Sequence, residues 1–365
     1  MDAFEVRLAT PQDEPEVRGL VGATTMPGAV AVRFAREPDY FLGATIMGNP
    51  CDVVVVRERQ SGRLAGFGCR GERRAFVNGR EERVGYIGQI RAAEGYRGRW
   101  LLQRAMAWLR ESGKADLLYY GVVARENPRA RELLVGRRAP GAPVRTRLAG
   151  LTTCAILLRP RRQPRIPGVV IQPGSAGRLA EIVAFLRAEG ARRQLFPAYS
   201  VEDFTEGRTL RGLAPEDLAV ARRNGRIVGV MAAWDQAAYK QDLVAGYGPS
   251  LRRLRPLYDV AARALGARPL TQPGSAIPLA FAACTAVTND DPAILRGLLA
   301  ACAERARQRG KAFLMVGLAD EDPLLPIVRR WLHVTYRSDL FTLAWDGATV
   351  PIPDERIPAI EIATL

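Results

Sequence analysis

The fold is decided by a pattern that occurs twice in the chain. Asp52–Arg70 reads DVVVVRERQSGRLAGFGCR, and Asp217–Trp234 reads DLAVARRNGRIVGVMAAW. Each stretch is a β-rich run, a turn that ends in Gly-Arg and a second apolar run, which is the pattern of a β-hairpin. Two copies of the same hairpin predict two copies of one fold along the chain.

The sequence on either side of the two hairpins repeats as well. Upstream, Phe4–Asp13 and Gly168–Gly177 both combine a short strand with a polar, Pro-containing helix start. Downstream, Lys114 and Lys311 lie in the similar segments SGKADLLYYGVV and RGKAFLMVGLAD. The second copy carries an insertion between Asp235 and Pro278. In it, Leu251–Leu265 is predicted to be a helix.

These boundaries predict four parts of the chain. We expect an N-terminal domain over residues 1–158 and a linker over 159–167, which reads RPRRQPRIP. A C-terminal domain with the inserted helix follows over residues 168–346. The last part, 347–365, has three prolines and is predicted to be extended.

Strands and helices follow the same order in each copy, and together they predict a mixed α/β sheet. This order differs from the strict βαβα alternation of a dinucleotide-binding fold. The elements predicted in the first copy are a strand at Phe4–Leu8, helices within Pro11–Leu20 and Ala29–Phe41, the hairpin Val53–Arg74, a strand at Val84–Arg91, a helix at Arg99–Ser112, a strand at Leu117–Val123, a short helix at Pro128–Leu134 and a strand at Leu148–Leu158.

Composition and charge exclude several classes of protein. The 365 residues include one histidine, His333, and five cysteines without a C-x-x-C pair. This speaks against a disulfide framework, a zinc finger or a redox dithiol, so we expect no metal site and free, buried cysteines. The formal net charge is +15, but the basic residues are nearly all arginines spread along the chain. That distribution indicates a coding bias, and it makes nucleic acid an unlikely partner.

We also expect neither a signal peptide nor a membrane-spanning segment. The segment Met1–Thr10 has neither a basic start nor an apolar core, and no apolar run approaches ~18 residues. We therefore expect a cytoplasmic protein that does not cross a membrane.

The strongest functional signal is Ile87–Leu102, which reads IGQIRAAEGYRGRWLL. A predicted strand ends near Ala92, a turn contains Gly95 and Gly98, and a helix begins at once. Free backbone N–H groups and the positive end of the helix dipole favour an anion such as a pyrophosphate at this turn.

The order strand–GYRGRW–helix, then strand–ARENPRA–helix, resembles the GNAT superfamily of acyl-CoA-dependent N-acetyltransferases. The family's phosphate loop reads [Q/R]-x-x-G-x-[G/A], and its place is taken here by Arg97, Gly98, Arg99, Trp100, Leu101 and Leu102. Trp100 and Leu102 stand where the family has small residues. Asn127 and Ala130 match the family's later Asn-x-x-Ala motif, whose Asn contacts the pantetheine arm. Leu134 replaces the tyrosine that often acts as general acid.

The resemblance implies two tandem GNAT-like domains that use acetyl-CoA as co-substrate. It implies that backbone N–H groups at Ile90, Arg91 and Ala92 stabilise the oxyanion. The second copy has Asp290 and Asp291 in the corresponding loop, before a predicted helix at Ala293–Arg309. Carboxylates cap a helix well but repel a pyrophosphate, so this copy is predicted to be structural or substrate-binding. Tandem members of the superfamily similarly keep one competent and one degenerate copy.

Candidates for proton transfer are Glu94, Gln89 and Tyr86. Each also has a purely structural explanation: a carboxylate at a helix start, a polar edge residue and a half-buried strand aromatic. Tyr119 and Tyr120, on the next strand, are predicted to be one core and one surface residue.

We therefore predict an acetyl-CoA-dependent N-acetyltransferase that acts on an amine of a small molecule or peptide. Trp100, Leu102 and Leu134 leave open a second hypothesis, an inactive tandem fold that binds acyl-CoA or a partner without turnover. The sequence predicts neither the acceptor nor the oligomeric state.

Overall fold

The computed structural model describes residues 3–26, 28–98, 100–127 and 142–365. Fifteen strands in this part of the chain form a large sheet of twelve strands and a small sheet of three. The strands are β1 Phe4–Leu8, β2 Thr25–Met26, β3 Val30–Ala35, β4 Cys51–Glu58, β5 Leu64–Val77, β6 Arg80–Ala92, β7 Leu118–Ala124, β8 Val144–Leu157, β9 Val169–Pro173, β10 Leu218–Arg223, β11 Arg226–Trp234, β12 Gln241–Tyr247, β13 Leu279–Val287, β14 Phe313–Ala319 and β15 His333–Ala344.

The large sheet has the same arrangement when it is followed from either edge. Its order is β1-β4-β5-β6-β7-β15-β8-β14-β13-β11-β10-β9. The pairs β6–β7 and β13–β14 are parallel, and the other neighbours are antiparallel. The two halves exchange their last strands: β15 pairs with β7, and β8 pairs with β14. One continuous sheet therefore joins the first half (residues up to 158) to the second half (from residue 168).

Helices cover both faces of this sheet. In the first half, α1 and α2 pack on one face, where Val17 and Tyr40 meet Val55 and Tyr86. Helix α3 packs on the opposite face. The helices in the described ranges are α1 Glu14–Ala23, α2 Tyr40–Ala44, α3 Leu101–Glu111, α4 Leu179–Gly190, α5 Val201–Thr205, α6 Pro249–Ala264, α7 Pro292–Gln308 and α8 Leu325–Val328.

The predicted helix at Ala29–Phe41 is wrong. This segment forms β3 and leads into the short helix α2. β3 pairs antiparallel with β12, which belongs to the insertion of the second half. A strand whose partner lies some 200 residues away in sequence leaves only a weak local signal (Val32 and Phe34 alternate with Arg33).

The other predicted elements of the first half lie close to the observed ones, including both hairpin strands and α3. The predicted helix at Pro128–Leu134 lies outside the described residues. The inserted helix is present as α6. All five cysteines are free, and His333 begins β15 with its Nδ1 2.6 Å from the Trp331 carbonyl oxygen.

The assignment of Tyr119 and Tyr120 to one core and one surface position is wrong, because both rings are buried. β7 lies inside the sheet, and both of its faces are covered. The two tyrosines point to opposite faces, and each is therefore buried. Tyr119 packs edge-on against Trp345, and Tyr120 packs against Tyr86. None of the helices in the described ranges is both long and apolar enough to span a membrane.

Candidate functional site

The parallel strands β6 and β7 separate soon after they meet. Their pairing runs only from Val84 opposite Leu118 to Tyr86 opposite Tyr120. Beyond this point a bulge at Gln89, which has φ 55°, shifts the register between β6 and β5. The bulge turns the end of β6 away from β7 and opens a gap between them.

The end of β6 leads directly into a turn and then into helix α3. Gly95 and Gly98 in this turn have φ of +85° and +79°, a region that glycine enters without steric cost. α3 begins at Leu101, and its first N–H groups have no partner within the helix. Arg97 is exposed in the turn, while Arg99 lies outside the described residues. The turn thus has the features of an anion site next to the gap.

Trp100 has the backbone conformation that glycine favours. Its φ of 57° and ψ of 25° are left-handed, and it precedes α3 as the N-cap residue. The side chain is 63% exposed, so the bulky ring lies outside the core. The backbone at Trp100 is therefore left-handed although the residue is a tryptophan.

Two of the three predicted proton-transfer residues lie at the gap. Tyr86 is buried against Tyr120, with 5.3 Å between ring centroids. Burial, with the neighbouring Tyr120, raises the pKa of Tyr86 well above its usual range, so it is a neutral phenol at pH 7. Gln89 forms the bulge, and its buried Oε1 has no hydrogen-bond partner among the described residues. Glu94 is exposed in the turn that follows.

The remaining predicted residues line the same region. Ile90, Arg91, Ala92, Gly98, Trp100, Leu101 and Leu102 all border one cavity beside the gap. Asn127 is exposed just beyond the end of β7, and Ala130 and Leu134 lie outside the described residues. The structure thus brings most of the predicted coenzyme residues together, although their roles stay predictions.

The sequence analysis did not predict a cluster of two arginines around one aromatic ring. The guanidinium groups of Arg36 and Arg91 lie 6.0 and 5.9 Å from the centre of the Phe34 ring. Burial lowers the pKa of Arg91. This cluster was missed because Ala29–Phe41 was predicted to be a helix. The alternation of apolar and polar residues in β3 is the signal that would have placed Phe34 on a strand.

The second half has the same gap, but the chain fills it. β13 and β14 pair only from Leu279 to Phe281, and Cys284 has the positive φ that Gln89 has in β6. Here a carboxylate oxygen of Glu361 accepts hydrogen bonds from the Cys284 N–H (2.8 Å) and the Tyr199 hydroxyl (3.0 Å). Ile362 packs against Gly317. The tail therefore occupies the position that stays open in the first half.

The loop before α7 has the predicted capping role. Asp291 Oδ1 accepts hydrogen bonds from the N–H groups of Ala293 and Ile294 at the start of that helix. The helix terminus that would attract an anion is thus already satisfied by a carboxylate. Only the first half offers an open gap beside an uncapped helix within the described ranges.

Truncating Glu361 should destabilise the second half. In Glu361→Ala the buried Cys284 N–H and Tyr199 hydroxyl lose their acceptor, so we expect a loss of about 1–3 kcal/mol in the free energy of unfolding. Glu361→Gln keeps an acceptor oxygen and relieves the cost of burying a charge; burial raises the pKa of this carboxyl. The free energy of unfolding should therefore decrease less in Glu361→Gln than in Glu361→Ala. Urea unfolding measures both variants, and equal losses would contradict this role.

No protein-family model and no curated protein sequence matches this chain. Several solved structures are similar to it. A GCN5-related N-acetyltransferase from Sphaerobacter thermophilus superposes with a TM-score of 0.56 at 13% identity, covering 100% of this chain and 99% of its own. N-myristoyltransferase from Saccharomyces cerevisiae with bound myristoyl-CoA has a TM-score of 0.59 at 10% identity, covering 99% and 88%.

A third similar structure is the GCN5-related glucosamine N-acetyltransferase region of a fungal β-N-acetylglucosaminidase. Its TM-score is 0.56 at 15% identity, and the match covers 94% of this chain and 38% of that one. The fold that these matched structures share is the GNAT fold. This chain has that fold over nearly its whole length.

Proposed function

We propose that this chain is an N-acyltransferase that takes its acyl group from an acyl-CoA, with acetyl-CoA as the smallest donor, in the first half. The observation that carries the proposal is the open gap between β6 and β7 beside the glycine turn and the uncapped start of α3. The acceptor is an amine of a small molecule or peptide, and the protein acts in the cytoplasm.

Transfer of an acyl group from a thioester to an amine needs few catalytic side chains. The lone pair of a neutral amine forms the new C–N bond, the C–S bond breaks, and coenzyme A leaves as its thiol. Backbone N–H groups at Ile90–Ala92 stabilise the oxyanion. Tyr86 is a neutral phenol, so it can donate a proton to the leaving sulfur but cannot accept one from the amine. The amine proton passes to Glu94 or to bulk water, and Gln89 can orient a water molecule that carries it.

Replacing Gly98 tests the phosphate turn. An added Cβ at Gly98 meets no atom within 4 Å, but φ of +79° strains any other residue, and a carboxylate repels phosphate. We expect Gly98→Glu to weaken coenzyme A binding at least about tenfold in isothermal calorimetry. Gly225→Glu is the matched control, because Gly225 has φ of +78°, open surroundings and a place in the distant β10–β11 turn. Equal affinity in the two variants would refute the assignment.

Trp100 favours a second candidate, a fold that binds acyl-CoA without turnover. Its indole stands beside the turn where the GNAT loop has a small residue. The two candidates differ in the release of free coenzyme A thiol, which a thiol reagent detects, across a panel of amines. An enzyme releases thiol with at least one amine, whereas a binding protein saturates with acyl-CoA and releases none.

A further inference from the structure

A cavity of about 250 Å³ lies between helix α3 and strands β4, β5 and β6. We propose that it holds the hydrocarbon chain of a medium-chain acyl-CoA of about eight carbons, so that the preferred donor is longer than acetyl-CoA. This inference rests on the proposed function, because it names the donor class of the same site.

The cavity exists because Gly68 of β5 has no side chain where a core strand normally has one, whereas a Cβ added at Gly66 would lie 2.6 Å from the Arg91 carbonyl oxygen. Gly68 and Gly66 pair with Val54 and Val56 of β4, so all four positions share the face below α3. A Cβ added at Gly68 would meet its nearest atom, Ile90 Cγ1, only at 3.5 Å. Protein interiors are close-packed, and this cavity leaves apolar side chains of α3 and the sheet without contacts on one side. The missing side chain at Gly68 therefore points to a ligand.

The walls of the cavity suit a hydrocarbon. The helix contributes Leu101, Ala105, Met106 and Leu109, and the sheet contributes Val54 and Ile87. Arg70 borders it, but its guanidinium donates to the Tyr119 hydroxyl (2.7 Å), Asp52 (3.1 Å) and Glu72 (2.7 Å). Since that charge is neutralised by its own partners, it does not require a polar group of the ligand.

The position of the cavity connects it to the site of transfer. One side is formed by Ile90 and Ala92, at the end of β6 where the gap opens, and Gly98 and Trp100 of the turn border it too. A coenzyme whose phosphates lie at the turn and whose thioester lies at the bulge would direct its acyl chain under α3. The first carbons of the chain would then contact Ile90.

The volume gives an approximate chain length. An apolar cavity of about 150 Å³ in another protein holds one benzene ring of six carbons. By proportion, 250 Å³ has room for about ten carbons. Octanoyl-CoA is therefore a suitable probe, and it adds six methylene groups to acetyl-CoA.

Calorimetry with coenzyme A, acetyl-CoA and octanoyl-CoA on the full chain tests the proposal. Burying one methylene raises affinity about fourfold, so six give a ceiling of about 4,000-fold. We expect octanoyl-CoA to bind at least about 100-fold more tightly than acetyl-CoA. In Gly68→Leu the added side chain fills the cavity, and the ratio of the two affinities should fall at least about tenfold.

Two further variants make the result decisive. Gly19→Leu places the same substitution on the exposed surface of α1 and should keep the ratio of the wild-type protein. Ala105→Leu narrows the cavity from the helix side. If Gly68→Leu does not fold, Ala105→Leu replaces it as the variant that should lower the affinity ratio. If coenzyme A and acetyl-CoA bind and octanoyl-CoA binds no better, the chain-length inference is wrong and the proposed function stands. A preference that survives both cavity variants places the chain elsewhere and also overturns the inference. If none of the three ligands binds, both proposals fail.

Discussion

Expressed separately, residues 1–163 and residues 164–365 are each expected to lack a cooperative unfolding transition. The reason is the exchange of strands in the middle of the sheet. β8 belongs to the first piece, yet its ladder partners, β14 and β15, belong to the second. In the first piece β7 loses β15, and β8 loses both of its ladder partners, β14 and β15. Each piece then exposes unpaired edges and part of its core to water.

Co-expression of the two pieces is the control for this prediction. Together they contain every strand of the sheet, and the cut falls within the linker predicted between the copies, so we expect them to assemble into one complex that unfolds in a single thermal transition. Size-exclusion chromatography and calorimetry measure assembly and unfolding. Two pieces that fold independently as monomers would contradict the exchange, and they would support the predicted domain boundaries as folding units.

The free energy of unfolding is expected to increase with pH because of Lys240. Its Nζ is buried, donates to the main-chain oxygens of Ala363 and Leu365 (2.9 Å each) and lies 4.7 Å from the centre of the Phe281 ring. Burial, with the nearby Arg36, lowers its pKa to about 7, and Asp242 and Glu361 oppose this only in part. The unfolded chain has the ordinary lysine pKa near 10.4.

Between pH 7 and pH 10 the unfolded state therefore binds a proton at Lys240 that the folded state lacks. Stability increases with pH wherever the unfolded state binds more protons, here by about 1.4 kcal/mol per pH unit and about 4 kcal/mol in all. Other groups titrate in this range, so the measurement is the difference between the wild-type protein and Lys240→Met in urea unfolding at several pH values. Parallel curves would show that Lys240 titrates normally.

The two halves use one architecture in different ways. Each has a parallel strand pair that separates at a bulge, at Gln89 in the first half and at Cys284 in the second. In the second half Glu361 takes the Cys284 N–H and the tail packs into the gap. This difference supports the proposed place of the coenzyme in the first half. It also explains why an aspartate-capped helix causes no conflict in the second half.

Local patterns predicted much of the fold and part of the candidate site. The hairpins, α3 and the glycine turn were predictable because alternation, helical periodicity and positive-φ glycines are properties of neighbouring residues. The burial of both Tyr119 and Tyr120 was not predictable, because it depends on what covers each face of β7. Phe34 and Arg36 were missed because the strand that pairs with β3 lies in the other half.

By itself the sequence determined the mixed α/β class, the resemblance to the GNAT fold and the turn that joins β6 to α3. Only the tertiary structure decided that β15 pairs with β7 and β8 with β14, that the tail fills the second gap, and that Gly68 leaves a cavity under α3. The physical reason is the range of the interactions. Turns and periodicity follow from backbone conformations within a few residues, whereas strand partners and empty space depend on segments far apart in the chain.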